Sequence, residues 1–135
     1  MVQREVAERI CANGQTPRQV RGKMNLLAAS VQFWANVKII DVVAKGNFRP
    51  IPKVDSAIIK LEIRDRYRTD QEKYYKFIRI LFQQPRKTIF NNISSGFESV
   101  KKEEILEKLQ NINVSPIDRP QNLSLKQIIE LSTLF

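Results

Sequence analysis

Apolar positions along this chain recur with helical spacing at both ends and with strand-like alternation in between. In "VQREVAERI" Val2, Val6 and Ile10 share one helical face while Arg4, Glu5, Glu8 and Arg9 take the other, which predicts an amphipathic helix. "NGQTPRQVRGK", from Asn13 to Lys23, sets Gly14, Pro17 and Gly22 among polar residues and cations and reads as an exposed loop. A second helix is predicted across Leu26 to Trp34, where "LLAASVQFW" mixes strong helix formers with bulky apolar groups. "VKIIDVVAK" is rich in β-branched residues and of strand length. In "AIIKLEI" the residues Ile59, Leu61 and Ile63 alternate with Ile58, Lys60 and Glu62, the pattern of a half-buried strand.

Beyond the charged stretch from Arg64 to Asp70 the period returns to three and four. Tyr74, Phe77, Ile78, Leu81 and Phe82 predict one buried helical face. Pro85 suits a helix's first turn, with Ile89, Phe90 and Ile93 buried and Gly96 as the stop. A further helix uses Ile105, Leu106, Leu109 and Ile112. The last opens with Ser124 and Gln127 in a capping box and buries Leu125, Ile128, Ile129 and Phe135. The pattern gives a mixed α/β part, residues 1–66, followed by a small all-α domain, residues 67–135.

Charge singles out the parts that face a partner. The chain of 135 residues carries a formal charge of +9, which favours a polyanion, since Lys and Arg on phosphate are the main sequence-independent source of nucleic-acid affinity. Residues 16–60 hold eight cations against two acids, and residues 73–87 hold five against none. From residue 97 onward five cations meet six acids, the balance of an ordinary solvated surface.

Several chemistries are disfavoured. The chain has no histidine, which argues against zinc sites and against Ser-His or Cys-His catalysis. Its single cysteine, Cys11, lies in a helical stretch and reads as a buried structural residue. No apolar run approaches the roughly 18 residues of a membrane span, and no signal-peptide pattern opens the chain, so a cytoplasmic location is expected.

Between the two predicted strands lies "FRPIPKVDS". Pro50 and Pro52 fix their own φ and push the preceding residues toward extended geometry, so the loop is expected to be stiff. Two readings of it stand open. Phe48 offers a face on which an unstacked base lies, with Lys53 on phosphate and Asp55 or Ser56 capping the turn; or the segment is a plain hairpin connection with Phe48 tucked into the core.

"MVQREVAERI", "FRPIPKVDSAIIKL" and "QQPRKTIFNNI", in this order, closely resemble the KsgA family of ribosomal RNA adenine dimethyltransferases, and "NVSPIDRPQNLSLKQIIEL" resembles that family's closing segment. The resemblance spans nearly the whole chain. It implies an enzyme that uses S-adenosylmethionine to dimethylate adjacent adenosines of small-subunit ribosomal RNA, with the immature small subunit as partner. It also implies that Phe48 stacks on the target adenine, with Pro50, Pro52, Lys53, Val54, Asp55 and Ser56 shaping the acceptor pocket.

Arg86 and Lys87 of the R-K-T motif, with Asn91 and Asn92 beyond, are expected to contact RNA or to brace the inter-domain face. Arg4, Lys23 and Arg49 are expected to join them on RNA. In the family the glycine-rich cofactor loop precedes the V-Q-K-E helix, and Met1 matches an internal methionine. The expectation is therefore the C-terminal portion of a dimethyltransferase: the end of a Rossmann-like sheet with a β-hairpin, then the helical part. Its S-adenosylmethionine site would lie largely upstream of Met1, and the portion alone would be inactive. A non-catalytic rRNA-binding module and the related large-subunit resistance methyltransferases are the alternatives; no metal is expected, and oligomeric state is open.

Overall fold

A computed structural model describes residues 1–12, 22–65 and 70–135. The loop expected from Asn13 to Lys23 falls outside the described residues up to Arg21, as do residues 66–69 of the charged stretch.

Three strands form one antiparallel sheet in the order β1-β3-β2: β1 (Val2–Gln3), β2 (Ala35–Val43) and β3 (Ser56–Ile63). β2 and β3 are the two predicted strands, now paired as a hairpin. Ala35, Val37 and Ile39 lie opposite Ile63, Leu61 and Ile59 on one face. A bulge at Ile40 then shifts the register, so that Val42 rather than Asp41 shares that face with Ala57. Helices α1 (Arg4–Ile10) and α2 (Leu26–Gln32) pack against β2 and β3.

The expectation of a uniformly half-buried strand needs correction. Ala57 is fully buried and Ile59 half-buried, whereas Leu61 is 51% and Ile63 86% exposed, because α1 and α2 cover only part of this face. Val2, expected in the first helix, belongs instead to β1, where it pairs with Ala57.

α1 has only seven residues, too few to stand alone in water. Its last carbonyls, which no helical N–H can reach, are taken by α2. The buried Gln32 amide donates to Ile10 O at 2.7 Å and Ala12 O at 2.8 Å. Asn25, the N-cap of α2, accepts from Ala28 N–H and donates to Arg9 O.

The remaining helices are α3 (Gln71–Leu81), α4 (Ile89–Gly96), α5 (Lys102–Asn111) and α6 (Leu125–Leu134). The predicted capping box opens α6: the Ser124 side chain accepts from Gln127 N–H while Gln127 reaches back to Ser124 N–H. Pro85 is not in a helix's first turn. Thr88 caps α4 by accepting from Asn91 N–H, and Pro85 occupies the second place of a turn closed by Lys87 N–H on Gln84 O, a position its fixed φ suits. Leu106 is exposed, and the buried face of α5 consists of Ile105 and Leu109.

One buried cluster joins Ala12, Met24, Ala28, Ala29 and Phe33 to the inner faces of α3, α4, α5 and α6. Phe33 stacks on Tyr74 with centroids 4.2 Å apart, and the Tyr74 and Tyr75 hydroxyls donate to Ala29 O and Ser30 O near the end of α2. The helices are thus packed directly on the α/β part. No helix among the described residues is long and apolar enough to cross a membrane.

Candidate nucleic-acid interface

The loop between β2 and β3 is pinned at both ends. Lys45–Asn47 form a single 3-10 turn, closed by Asn47 N–H on Ala44 O and Phe48 N–H on Lys45 O. The Asp55 carboxylate accepts from Lys45 N–H at 3.0 Å, joining the loop's start to its end. Its backbone carbonyl accepts from Arg4 N–H at 3.0 Å, joining the loop to the first residue of α1. Asp55 therefore serves as a clasp, and the prolines stiffen the segment it closes.

Within that segment Phe48, Pro52, Asp55 and Ser56 are half-buried, while Arg49, Pro50, Ile51, Lys53 and Val54 are exposed. The Arg49–Pro50 peptide is cis. Phe48 stands outside the buried core cluster, and its ring is neither sealed in nor wholly free.

A cleft of about 340 Å³ opens between this loop and α1, lined by Arg4, Glu5, Glu8, Lys45, Lys53 and Asp55, with Val54 at its side. It brings Arg4, expected on RNA, next to Lys53, Val54 and Asp55, expected together in the acceptor pocket; Phe48 does not line it. It adds Lys45, which in the sequence was only one of the eight cations of residues 16–60. Arg4 Nε is held by Glu8 Oε1 at 3.0 Å, so Lys45 and Lys53 are the cleft's cations without an acid partner among the described residues.

Arg86 and Lys87 stand elsewhere, on a depression of about 510 Å³ that they share with Gln83, Gln84 and Pro85. Asn92 organises this loop from beneath: it is 3% exposed and hydrogen-bonds to Gln84, Lys87 and Thr88 backbone groups. Asn91 is exposed. The loop before α6 closes over the same spot, with Asp118 O accepting from Ile89 N–H and Pro116 O from Phe90 N–H. Exposed Arg119 follows directly, a cation the charge count had assigned to plain surface. Lys23 is exposed, in the segment just before α2.

Burial pushes the Cys11 thiol above its ordinary pKa, in keeping with a structural residue. Among the described residues no group of three or more His, Cys, Asp or Glu is placed to hold a metal ion.

The model of the ribosomal RNA adenine dimethylase family matches residues 1–133. The chain belongs to that family. It is 40% identical over 137 residues to the ribosomal RNA small subunit methyltransferase A of Mycoplasma mycoides, covering 99% of this chain and 49% of that protein. To the protein of the same name from Fusobacterium nucleatum it is 33% identical over 140 residues, covering 100% of this chain and 50% of that one.

The chain spans about half the length of these curated relatives. Among solved structures, a dimethyladenosine transferase from Plasmodium falciparum has the same fold with a TM-score of 0.72 and 24% identity, over 96% of this chain and 53% of that one. The 23S rRNA methyltransferase ErmE matches with a TM-score of 0.68 and 19% identity, over 98% of this chain and 51% of that one.

Proposed function

We propose that this chain is the adenine-presenting and RNA-facing portion of an S-adenosylmethionine-dependent dimethyltransferase that acts on adjacent adenosines of small-subunit ribosomal RNA in the cytoplasm. In this reading residues 1–66 end the methyltransferase sheet and residues 67–135 form the helical part that faces the immature small subunit. Membership of the dimethylase family supports the chemistry. The observation that carries the site is the half-buried Phe48 on a loop whose two ends are clasped by Asp55.

Methylating an exocyclic adenine nitrogen is hard because its lone pair is delocalised into the ring, so orientation of the extruded base supplies much of the gain. Phe48 would stack on that base, a contact worth about 1–3 kcal/mol. Pro50, Pro52, Val54, Asp55 and Ser56 would keep the shelf in place, and Lys45 and Lys53 would meet the flanking phosphates. Arg86, Lys87 and Asn91, with Arg4, Lys23 and Arg49, would extend the contact along the RNA, while Asn92 would hold the Arg86 loop in shape.

The described residues do not make a cradle for S-adenosylmethionine. The cleft between the loop and α1 is lined by charged side chains and Val54, and among the described residues no glycine-rich turn follows a strand. Residues 1–135 alone are expected to transfer no methyl.

The test compares the full-length gene product, its Phe48→Ala variant and the 135-residue chain on immature small subunits with a labelled methyl donor. Incorporation by the full-length protein alone, lowered at least tenfold by Phe48→Ala, is the expected result. No incorporation by any of them would replace the enzyme with an RNA-binding assembly module. Full incorporation by the Phe48→Ala variant would remove the shelf.

A further inference from the structure

At the end of β2 opposite the Phe48 loop, two aromatic rings emerge from the core in a locked arrangement. Trp34 packs edge-on against Phe33 with centroids 5.4 Å apart, and Tyr75 does so at 6.2 Å. Trp34 Nε1 donates to Tyr75 Oη at 2.7 Å, and that hydroxyl donates to Ser30 O at 3.0 Å. Both polar handles are satisfied inside the protein, so the rings are fixed without a ligand. Trp34 nevertheless remains 38% exposed.

Next to Tyr75 the outer side of α3 bears a shallow depression of about 610 Å³, lined by Gln71, Glu72, Tyr75, Lys76, Arg79 and Ile80. Lys76 and Arg79 are exposed and have no acid partner among the described residues. They belong to the stretch 73–87, which holds five cations and no acid. Glu72 is the one acid on the rim, about one helical turn along α3 from Lys76 and two from Arg79.

We propose that this face is a second RNA site, which takes an unpaired base on the Trp34–Tyr75 edge and the neighbouring phosphates on Lys76 and Arg79. Pre-fixed rings lose no freedom on binding, and base stacking on an aromatic face requires a base out of its duplex. Two cations against the single rim acid Glu72 favour a polyanion over an apolar partner helix. β2 has nine residues between the two places, so the site lies roughly 30 Å from the Phe48 loop and is not part of the adenine pocket. The inference rests on the RNA-facing role proposed above, but not on the identity of the methylated base.

Trp34 is the only tryptophan in the chain, so its emission reports this site alone. The 135-residue chain is titrated with a twelve-nucleotide unpaired RNA and with a duplex RNA of equal length at matched salt. The single strand is expected to quench Trp34 and the duplex to leave it unchanged. The double variant Lys76→Gln/Arg79→Gln should keep the free protein's emission and lower the slope of log affinity against log salt by about 1.4, the value for two lost single-strand phosphate contacts. Absence of quenching, equal quenching by duplex, or an unchanged slope in the double variant would each overturn the site. Methyl incorporation by the Phe48→Ala full-length protein is scored separately, so this inference and the adenine shelf can fail independently.

Discussion

The Asn92 carboxamide pairs with both backbone groups of Gln84, accepting from its N–H at 3.1 Å and donating to its carbonyl at 3.0 Å. The same amide group donates to Thr88 O at 3.1 Å and Lys87 O at 3.4 Å. A buried side chain of α4 therefore sets the path of the loop that displays Arg86 and Lys87. Asn92→Ala leaves backbone groups without partners and is expected to destabilise the fold by about 1–3 kcal/mol, read as a lower urea midpoint. Asn92→Asp keeps the shape and the acceptor for Gln84 N–H but turns a carboxylate oxygen toward carbonyls. It should be at least as damaging at pH 7, and less so in acid where the carboxyl regains a proton to donate.

Gln32 does for α1 what Asn92 does for the Arg86 loop. Its amide satisfies Ile10 O and Ala12 O from a site only 7% exposed. Gln32→Leu conserves the bulk and removes both donors, so about 1–3 kcal/mol should be lost. Because α1 carries Arg4, whose N–H holds Asp55 O, the loosening should reach the Phe48 loop. Faster amide exchange at Arg4, with no change at Ile128 in α6, checks this; equal acceleration at both would mean global unfolding instead.

These two residues show where the sequence is mute. Periodicity revealed the helices and the hairpin because spacing is a local property, and the Ser124–Gln127 box marked the start of α6 for the same reason. A buried glutamine or asparagine reads as surface, since its partners are carbonyls exposed at helix ends and turns that meet it only after packing. Alternation misled at Leu61 and Ile63, which repeat like half-buried residues although the helices stop short of them. For Phe48 the residues permitted either a sealed or an open ring; it lies half-buried on a loop whose ends Asp55 joins across ten residues. Charge counting placed Lys45 in a basic stretch and Arg119 on plain surface, and neither count shows which loop each one joins on folding.

Cys11 should behave as an inert thiol. Its side chain is 6% exposed, and burial raises its pKa, so less thiolate is present at pH 8 than for a free cysteine. Reaction with a thiol-specific disulfide reagent should be slow in buffer and fast in denaturing urea. The linkage follows in sign: the unfolded thiol ionises at lower pH than the folded one, so its contribution is complete below the unfolded pKa and is lost as pH rises through the folded value. Cys11→Ala should therefore flatten the alkaline decline in stability. Rapid labelling of the native protein would contradict the assignment.

Gly96 ends α4 where that helix crosses close to α3, and space rather than backbone conformation demands it. Among the described residues no glycine has positive φ, yet a Cβ at position 96 would overlap Ile80 Cγ2 and lie 3.0 Å from Ile80 Cγ1. Both atoms sit on a β-branch close to the α3 backbone and cannot swing away as the tip of a long chain would. Gly96→Ala would gain up to about 1 kcal/mol in helix propensity, less at a helix end. Overpacking of this kind typically costs about 1–3 kcal/mol, so the balance falls on destabilisation. Ile80→Ala alone should also lower the urea midpoint, through lost packing against α4. Combined with Gly96→Ala it removes the obstruction, so the double variant should be more stable than the sum of the two single losses predicts. Strict additivity would mean that the helices part around the new methyl group without meeting Ile80, and the close approach would then not be what position 96 requires.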